Sequence, residues 1–145
     1  MPKVLVVYAS LSGHTKAAAE AVAEGARAAG AKVTLKPAEE AQPKDLQECD
    51  AVALGSYDVF DCMAGDLQGF LERAAEPGRK AVGGKPYVAF LTYGEAGRAL
   101  TSIEANADML QFKRAAASVG VKGLPDDRAK ASLKELGSQL VKAAG

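Results

Sequence analysis

The sequence predicts an α/β fold in three layers, a five-stranded parallel sheet of strand order 2-1-3-4-5 with helices on both faces. Three observations carry this expectation. Strand-like and helix-like segments alternate along the chain, which is how a parallel sheet covered on both sides is built. Three of the strand-like segments are near-continuously apolar, as strands buried on both faces must be. A fourth alternates strictly and carries lysines, the pattern of a guarded sheet edge.

Each element follows in order. Lys3 to Ala9 (KVLVVYA) is a central strand. From Thr15 to Ala29 the positions Ala18, Val22, Gly25 and Ala29 recur at helical spacing, and Gly30 supplies the stop. Lys32 to Lys36 (KVTLK) turns Val33 and Leu35 to one face and Lys32, Thr34 and Lys36 to the other, so it is the edge strand. Ala51 to Gly55 (AVALG) is central again. Leu67, Phe70, Leu71 and Ala74 mark a helix that Pro77 and Gly78 end. Pro86 to Thr92 (PYVAFLT) is the third central strand, and Ile103, Ala107 and Leu110 mark the next helix. Only Val119 to Gly123 (VGVKG) is left for a fifth strand, short and at the opposite edge. Ala129, Leu133, Leu136 and Leu140 mark the last helix, with Asp126 as its N-cap after Pro125.

At 145 residues the chain suits one domain, residues 1–145. Such a length buries about two-thirds of the unfolded surface. Eighteen basic residues balance eighteen acidic ones, so charge points to neither nucleic acid nor an anionic membrane. The two cysteines, Cys49 and Cys62, make neither a disulfide framework nor a zinc cluster. No apolar run is long enough for a bilayer, and the N-terminal segment is too short and too β-branched for a signal peptide. A cytoplasmic location is expected.

On a sheet of this order, ligands bind outside the carboxyl ends of the strands, at the switch point between the first and third. Three loops therefore matter: Ser10 to Thr15, Ser56 to Met63, and Thr92 to Arg98. The first (SLSGHT) puts three hydroxyls and a glycine at a helix N-terminus, with no lysine or arginine among them. Backbone N–H groups there attract phosphate, Ser10, Ser12 and Thr15 can add hydrogen bonds, and Gly13 allows an unusual φ. Both G-x-x-x-x-G-K-[ST] and G-x-G-x-x-G are absent, which leaves a terminal monophosphate held without metal. A phospho-acceptor domain would need acidic residues where Tyr8 to Ser10, Gly55 and Ser56 stand. A small tyrosine phosphatase would need a cysteine with an arginine six positions on, and neither cysteine has one.

Ser10-Leu11-Ser12-Gly13-His14-Thr15 after an apolar strand resembles the FMN-phosphate loop of the flavodoxin-like family. VVYASLSGHTKAAAEAVAEGA is similar above all to the version in flavodoxin-like NAD(P)H:quinone oxidoreductases, and GSYDVFDCMAGDLQGFLERA and GGKPYVAFLTYGEAG resemble their second and third loops. The resemblance runs from Lys3 to about Leu110 and implies a flavodoxin-like three-layer sandwich with FMN as cofactor. The cofactor-binding residues it implies are Ser10, Leu11, Ser12, Gly13, His14 and Thr15 in the first loop; Ser56, Tyr57, Asp58, Val59, Phe60 and Asp61 in the second; and Thr92, Tyr93, Gly94, Glu95 and Gly97 in the third. Phe60 and Tyr93 are the preferred walls for a flat ring, and His14 contributes its backbone N–H.

The second loop departs from the family, with Tyr57, Asp58 and Asp61 in place of its usual Pro, Thr and Gly. An aspartate beside the ring would repel a reduced, anionic flavin. The chain is neutral where carriers are acidic, and it lacks the extra length with which the quinone reductases build tetramers. Three functions stay open: an FMN-binding electron carrier, an NAD(P)H-dependent FMN quinone oxidoreductase, and a cofactor-free interaction domain. With no arginine cluster for a nicotinamide nucleotide, the carrier is favoured. Its partners would be redox proteins or a small quinone-like acceptor, met by a monomer or weak dimer.

Overall fold

The computed structural model describes every residue except 77. In chain order the elements are β1 (Lys3–Tyr8), α1 (His14–Ala28), β2 (Lys32–Pro37), α2 (Pro43–Glu48), β3 (Ala51–Tyr57), α3 (Gly65–Ala75), α4 (Arg79–Val82), β4 (Pro86–Tyr93), α5 (Ala99–Met109), β5 (Lys113–Arg114), β6 (Val119–Lys122) and α6 (Asp127–Ala144). The sheet runs β2-β1-β3-β4-β5, with β6 also paired to β4, and all pairings are parallel. The predicted order holds.

Period-two alternation sends successive side chains of each strand to opposite faces, and each face has its own core. Leu5, Val7, Val52, Leu54, Tyr87, Ala89 and Leu91 pack with Leu46, Leu67, Phe70 and Ile103 from α2, α3 and α5. Val4, Val6, Ala51, Ala53, Val88 and Phe90 pack with Ala18, Val22, Leu133, Leu136 and Leu140 from α1 and α6. A fully buried Leu or Phe contributes roughly 1.5–3 kcal/mol relative to exposure, so these two cores are the main source of stability.

Four local expectations need correction or extension. The fifth strand is in two pieces: Lys113–Arg114 pairs with the start of β4, and Val119–Lys122 with its end. Both residues of β5 are exposed at the sheet edge, so no apolar alternation announces it. Ala29 lies exposed beyond the last residue of α1, so the helical stripe ends a turn early. The short helix α2 was not expected, although Pro43 at its first turn and a Gln42 N–H donating to the Asp45 carboxylate at 2.8 Å are start signals. Pro77, expected to help end α3, lies outside the described residues. The Asp126 cap forms as expected, accepting from the Ala129 N–H at 2.8 Å.

α1 and α6 cross at a pair of glycines. A Cβ on Gly25 would run into the Lys134 carbonyl, and one on Gly137 into the Val22 carbonyl. In an open helix, replacing glycine with alanine is stabilising by about 1 kcal/mol. Here Gly137→Ala is expected to destabilise by about 1–3 kcal/mol, because rigid backbone must move apart. Urea unfolding of the parent and variant checks the sign.

Candidate functional site

The three loops leave the carboxyl ends of β1, β3 and β4, which are neighbours in the sheet. In the first, Gly13 is the residue before α1 and has φ +92°, a conformation that costs glycine little. The Ser10 hydroxyl accepts from the Gly13 N–H at 3.2 Å and the Lys16 N–H at 3.3 Å, folding the loop over the helix start. The first-turn amides of His14 and Thr15 have no carbonyl of their own helix to bond, as at any helix start. Leu11 and Ser12 are exposed and His14 is half-buried.

Thr15 is placed differently from the two serines. It is buried, and its hydroxyl meets that of Thr92, also buried, at 2.7 Å. This bond ties the first turn of α1 to the end of β4. Either hydroxyl can be the donor, which leaves the other one's proton free for another acceptor.

The second loop is a tight hairpin. The Val59 N–H donates to the Cys62 carbonyl at 2.9 Å and the Cys62 N–H to the Val59 carbonyl at 3.0 Å. Between them Phe60 (φ 50°) and Asp61 (φ 66°) both have positive φ, as in the two-residue type I′ turn that ordinarily takes Asn-Gly. Phe60 stands at the tip, 96% exposed. The buried Ser56 hydroxyl donates to the Tyr57 carbonyl at 2.7 Å and accepts from the Ala64 N–H at 2.8 Å, closing the base of the loop. Asp58 accepts from the Asp61 N–H at 2.8 Å and, across to the third loop, from the Ala99 N–H at 3.1 Å. Asp61 lies 3.6 Å from Arg98. Tyr57 and Val59 are partly buried and pack against the core on the α3 and α5 face.

A cleft of about 400 Å³ opens between the second and third loops, lined by Asp58, Phe60, Asp61, Gly94, Glu95, Ala96 and Arg98. Tyr93 does not line it. Its half-buried ring packs on Gly97, where a Cβ would sit 3.0 Å away, and beside Gly120 of β6. Phe60 is thus the aromatic wall of the cleft, and the small Gly94 and Ala96 form part of the opposite side. A second cleft, about 300 Å³, adjoins the first loop and brings in Tyr8, Lys16, Glu39 and Asp66, which sequence reasoning did not select. Nothing in the local pattern marks those four. They meet only because β2 and α3 flank the loop.

The cleft is acidic: Asp58 and Asp61 are compensated by protein groups, and Glu95 is exposed beside them. The Asp58 charge faces two amides, one at the positive end of the α5 dipole. Asp61 is offset by Arg98, a half-exposed pair contributing at most about 1 kcal/mol. Neither carboxylate stands uncompensated in the cleft. Among the described residues no group of His, Cys, Asp and Glu is arranged to hold a metal ion.

The two cysteines differ sharply. Burial pushes the Cys49 thiol up to about 11, and its Sγ donates to the Leu46 carbonyl at 3.1 Å. Cys62 is exposed in the hairpin. A disulfide-exchange reagent at pH 8 is expected to label one thiol per chain quickly and the second only in denaturant, since the thiolate is the reactive form. Cys62→Ser should abolish the fast phase.

A glycine-bearing, hydroxyl-rich helix start at the switch point of a 2-1-3-4-5 sheet, with a cleft at the same sheet edge, defines a flavodoxin-type protein. The family model for flavodoxin matches residues 6–135, and the chain belongs to that family. Among solved structures it is similar to a flavodoxin from the domain Archaea, with a TM-score of 0.91, 26% identity and 98% of each chain covered. It also resembles in fold the rubredoxin oxygen:oxidoreductase of Desulfovibrio gigas, with a TM-score of 0.88 and 22% identity over 98% of this chain and 36% of that one. Sequence relatives include the NAD(P)H dehydrogenase (quinone) of Rhodopseudomonas palustris strain TIE-1, 38% identical over 94 residues, or 51% of this chain and 47% of that one. The protein of the same name from Methylocella silvestris is 39% identical over 111 residues, or 62% and 56% of the two chains. The chain spans about half the length of these relatives.

The cofactor of the family, FMN, suits what the loops offer. A monophosphate matches the N–H and hydroxyl donors at the α1 start, where Lys16 also lines the adjoining cleft. The cleft falls within the roughly 300–1,000 Å³ usual for cofactor sites.

Proposed function

We propose that residues 1–145 act as one flavodoxin-like domain, an FMN-binding electron carrier of the cytoplasm that works as a monomer or weak dimer with redox partner proteins. The observation that carries this reading is Gly13 at φ +92° with the Ser10 hydroxyl folded over the start of α1, at the same edge of the sheet as the cleft that Phe60 walls. The first loop would hold the phosphate through the His14 and Thr15 amides and the Ser10 and Ser12 hydroxyls. Thr15, sunk against Thr92, would anchor that loop to β4 and can offer at most one proton. Phe60 would cover one face of the ring, and Gly94 to Ala96 would border it with little side chain in the way. FMN bound there supplies one- and two-electron redox chemistry. No helix among the described residues is long and apolar enough to cross a membrane.

A second reading, hydride transfer from NAD(P)H to a quinone, is favoured by the name that the two sequence relatives share. Anaerobic addition of NADPH to the FMN-loaded protein separates the two. The carrier reading expects the flavin absorbance to persist for minutes, whereas prompt bleaching would establish the oxidoreductase. A protein that takes up no flavin at all would favour the cofactor-free alternative.

Phosphate recognition makes its own prediction. FMN at about 100 times its dissociation constant should stabilise the fold by roughly 2.7 kcal/mol, and riboflavin at the same concentration by far less. Ser12 is exposed just before the helix, so Ser12→Glu should weaken FMN at least about tenfold by opposing its phosphate. The same change should leave the flavin-free fold unaltered or firmer by about 0.3–1 kcal/mol, since a negative charge beside a helix N-terminus is favourable. Equal thermal shifts from FMN and riboflavin would show that no phosphate is read.

A further inference from the structure

Asp58 makes three connections that no other residue of the second loop makes. Its N–H donates to the Thr92 carbonyl at 3.1 Å, at the end of β4. Its Oδ2 accepts from the Ala99 N–H at 3.1 Å, at the first residue of α5. Its Oδ1 accepts from the Asp61 N–H at 2.8 Å, inside the hairpin whose tip is Phe60. Two walls of the cleft are therefore joined through one side chain. Arg98, which immediately precedes α5, has no side-chain capping bond of its own, so the carboxylate from the neighbouring loop takes that place.

The hairpin needs such support. A non-glycine residue at positive φ costs of order 1–3 kcal/mol and persists only where its surroundings over-determine it. Phe60 and Asp61 are two such residues in succession, and the bulky Phe60 is the less tolerant of this backbone. Almost nothing packs on the Phe60 ring to hold it, since it is 96% exposed. The restraints are instead the two Val59–Cys62 backbone bonds, the Asp58 carboxylate on the Asp61 amide and the exposed Asp61–Arg98 pair.

We propose that Asp58 is the positioning residue of the ring subsite, holding Phe60 and the start of α5 at a fixed separation so that the cleft is formed before flavin enters. This rests on the FMN reading above. Asp58 lines the cleft, and both oxygens of its carboxylate accept from backbone amides, so it acts by holding the two loops. Ring binding then requires little reorganisation, and loosening the staple raises the ordering cost of every ligand that uses the cleft. The phosphate loop has its own side-chain ties, through Ser10 and through Thr15–Thr92, and the Asp58 carboxylate makes neither of them.

The test compares Asp58→Ala and Asp58→Asn with the parent, using FMN and riboflavin as ligands and amide hydrogen exchange of the flavin-free protein. Asp58→Ala should weaken FMN and riboflavin by the same factor, about tenfold for a charge-assisted bond, mostly through faster release. Asp58→Asn, whose amide oxygen can still accept one N–H, should recover part of the loss. Without flavin, the Ala99 and Asp61 amides should exchange faster in Asp58→Ala, while the Ala64 and Gly13 amides, held by Ser56 and Ser10, stay unchanged. Fast exchange at Ala99 and Asp61 with parental release rates for both flavins would reduce Asp58 to a helix cap and overturn the proposal. Loss of FMN affinity with riboflavin untouched would overturn it too, by placing the effect in the phosphate loop. A parent protein that binds neither flavin would refute the function proposed above and this inference with it; failure confined to the variants refutes this inference alone.

Discussion

All the strand pairings of this sheet are parallel, and the rest of the molecule depends on that constraint. Parallel strands need a crossover each time, so helices must cover both faces and the strands between them must be apolar on both sides. The same sense of direction brings the carboxyl ends of β1, β3 and β4 to one edge of the sheet. Residues about eighty positions apart in the chain, such as Thr15 and Thr92, become hydrogen-bonded neighbours there. The site is a by-product of how the core is built.

Residues at that edge divide into two kinds by what they already touch. Ser56, Thr15, Thr92 and Asp58 are engaged with the protein itself, closing loops and tying them together. Ser12, Leu11, Phe60, Gly94 and Glu95 face outward. A buried hydroxyl that lost its partner would leave an unsatisfied group and cost about 1–3 kcal/mol, so the first set contributes to stability before it contributes to binding. The second set is free to meet a ligand. An electron carrier benefits from this division, because a cleft held by its own hydrogen bonds reorganises little when its cofactor changes charge.

The acidity of the second loop reads differently in three dimensions. As a string of residues, Asp58 and Asp61 look hostile to a reduced flavin. In the fold one carboxylate lies on backbone amides at the positive end of α5 and the other faces Arg98, which softens the field that either would impose. Phe60 and the bare Gly94–Ala96 stretch line the same cleft as these two carboxylates. Tyr93 packs beside Gly97 and Gly120.

The sequence by itself determined whatever local periodicity and turn chemistry encode. The apolar runs of β1, β3 and β4, the lysine-guarded β2, the stripes of α1, α3, α5 and α6, and the glycine of the first loop all belong here. Each reports how much of its own surface must leave water, or which φ its backbone must adopt, and those demands are written in neighbouring residues. The bonds of Asp58 were not legible, because no spacing says that Ala99 will present its amide to residue 58. The same holds for Thr15 with Thr92, Asp61 with Arg98, and Gly25 against the backbone of α6. β5 escaped notice because a two-residue strand at an exposed edge buries nothing and so leaves no apolar pattern. Contacts between distant segments are fixed by which elements the cores bring together, and only the tertiary structure decided them.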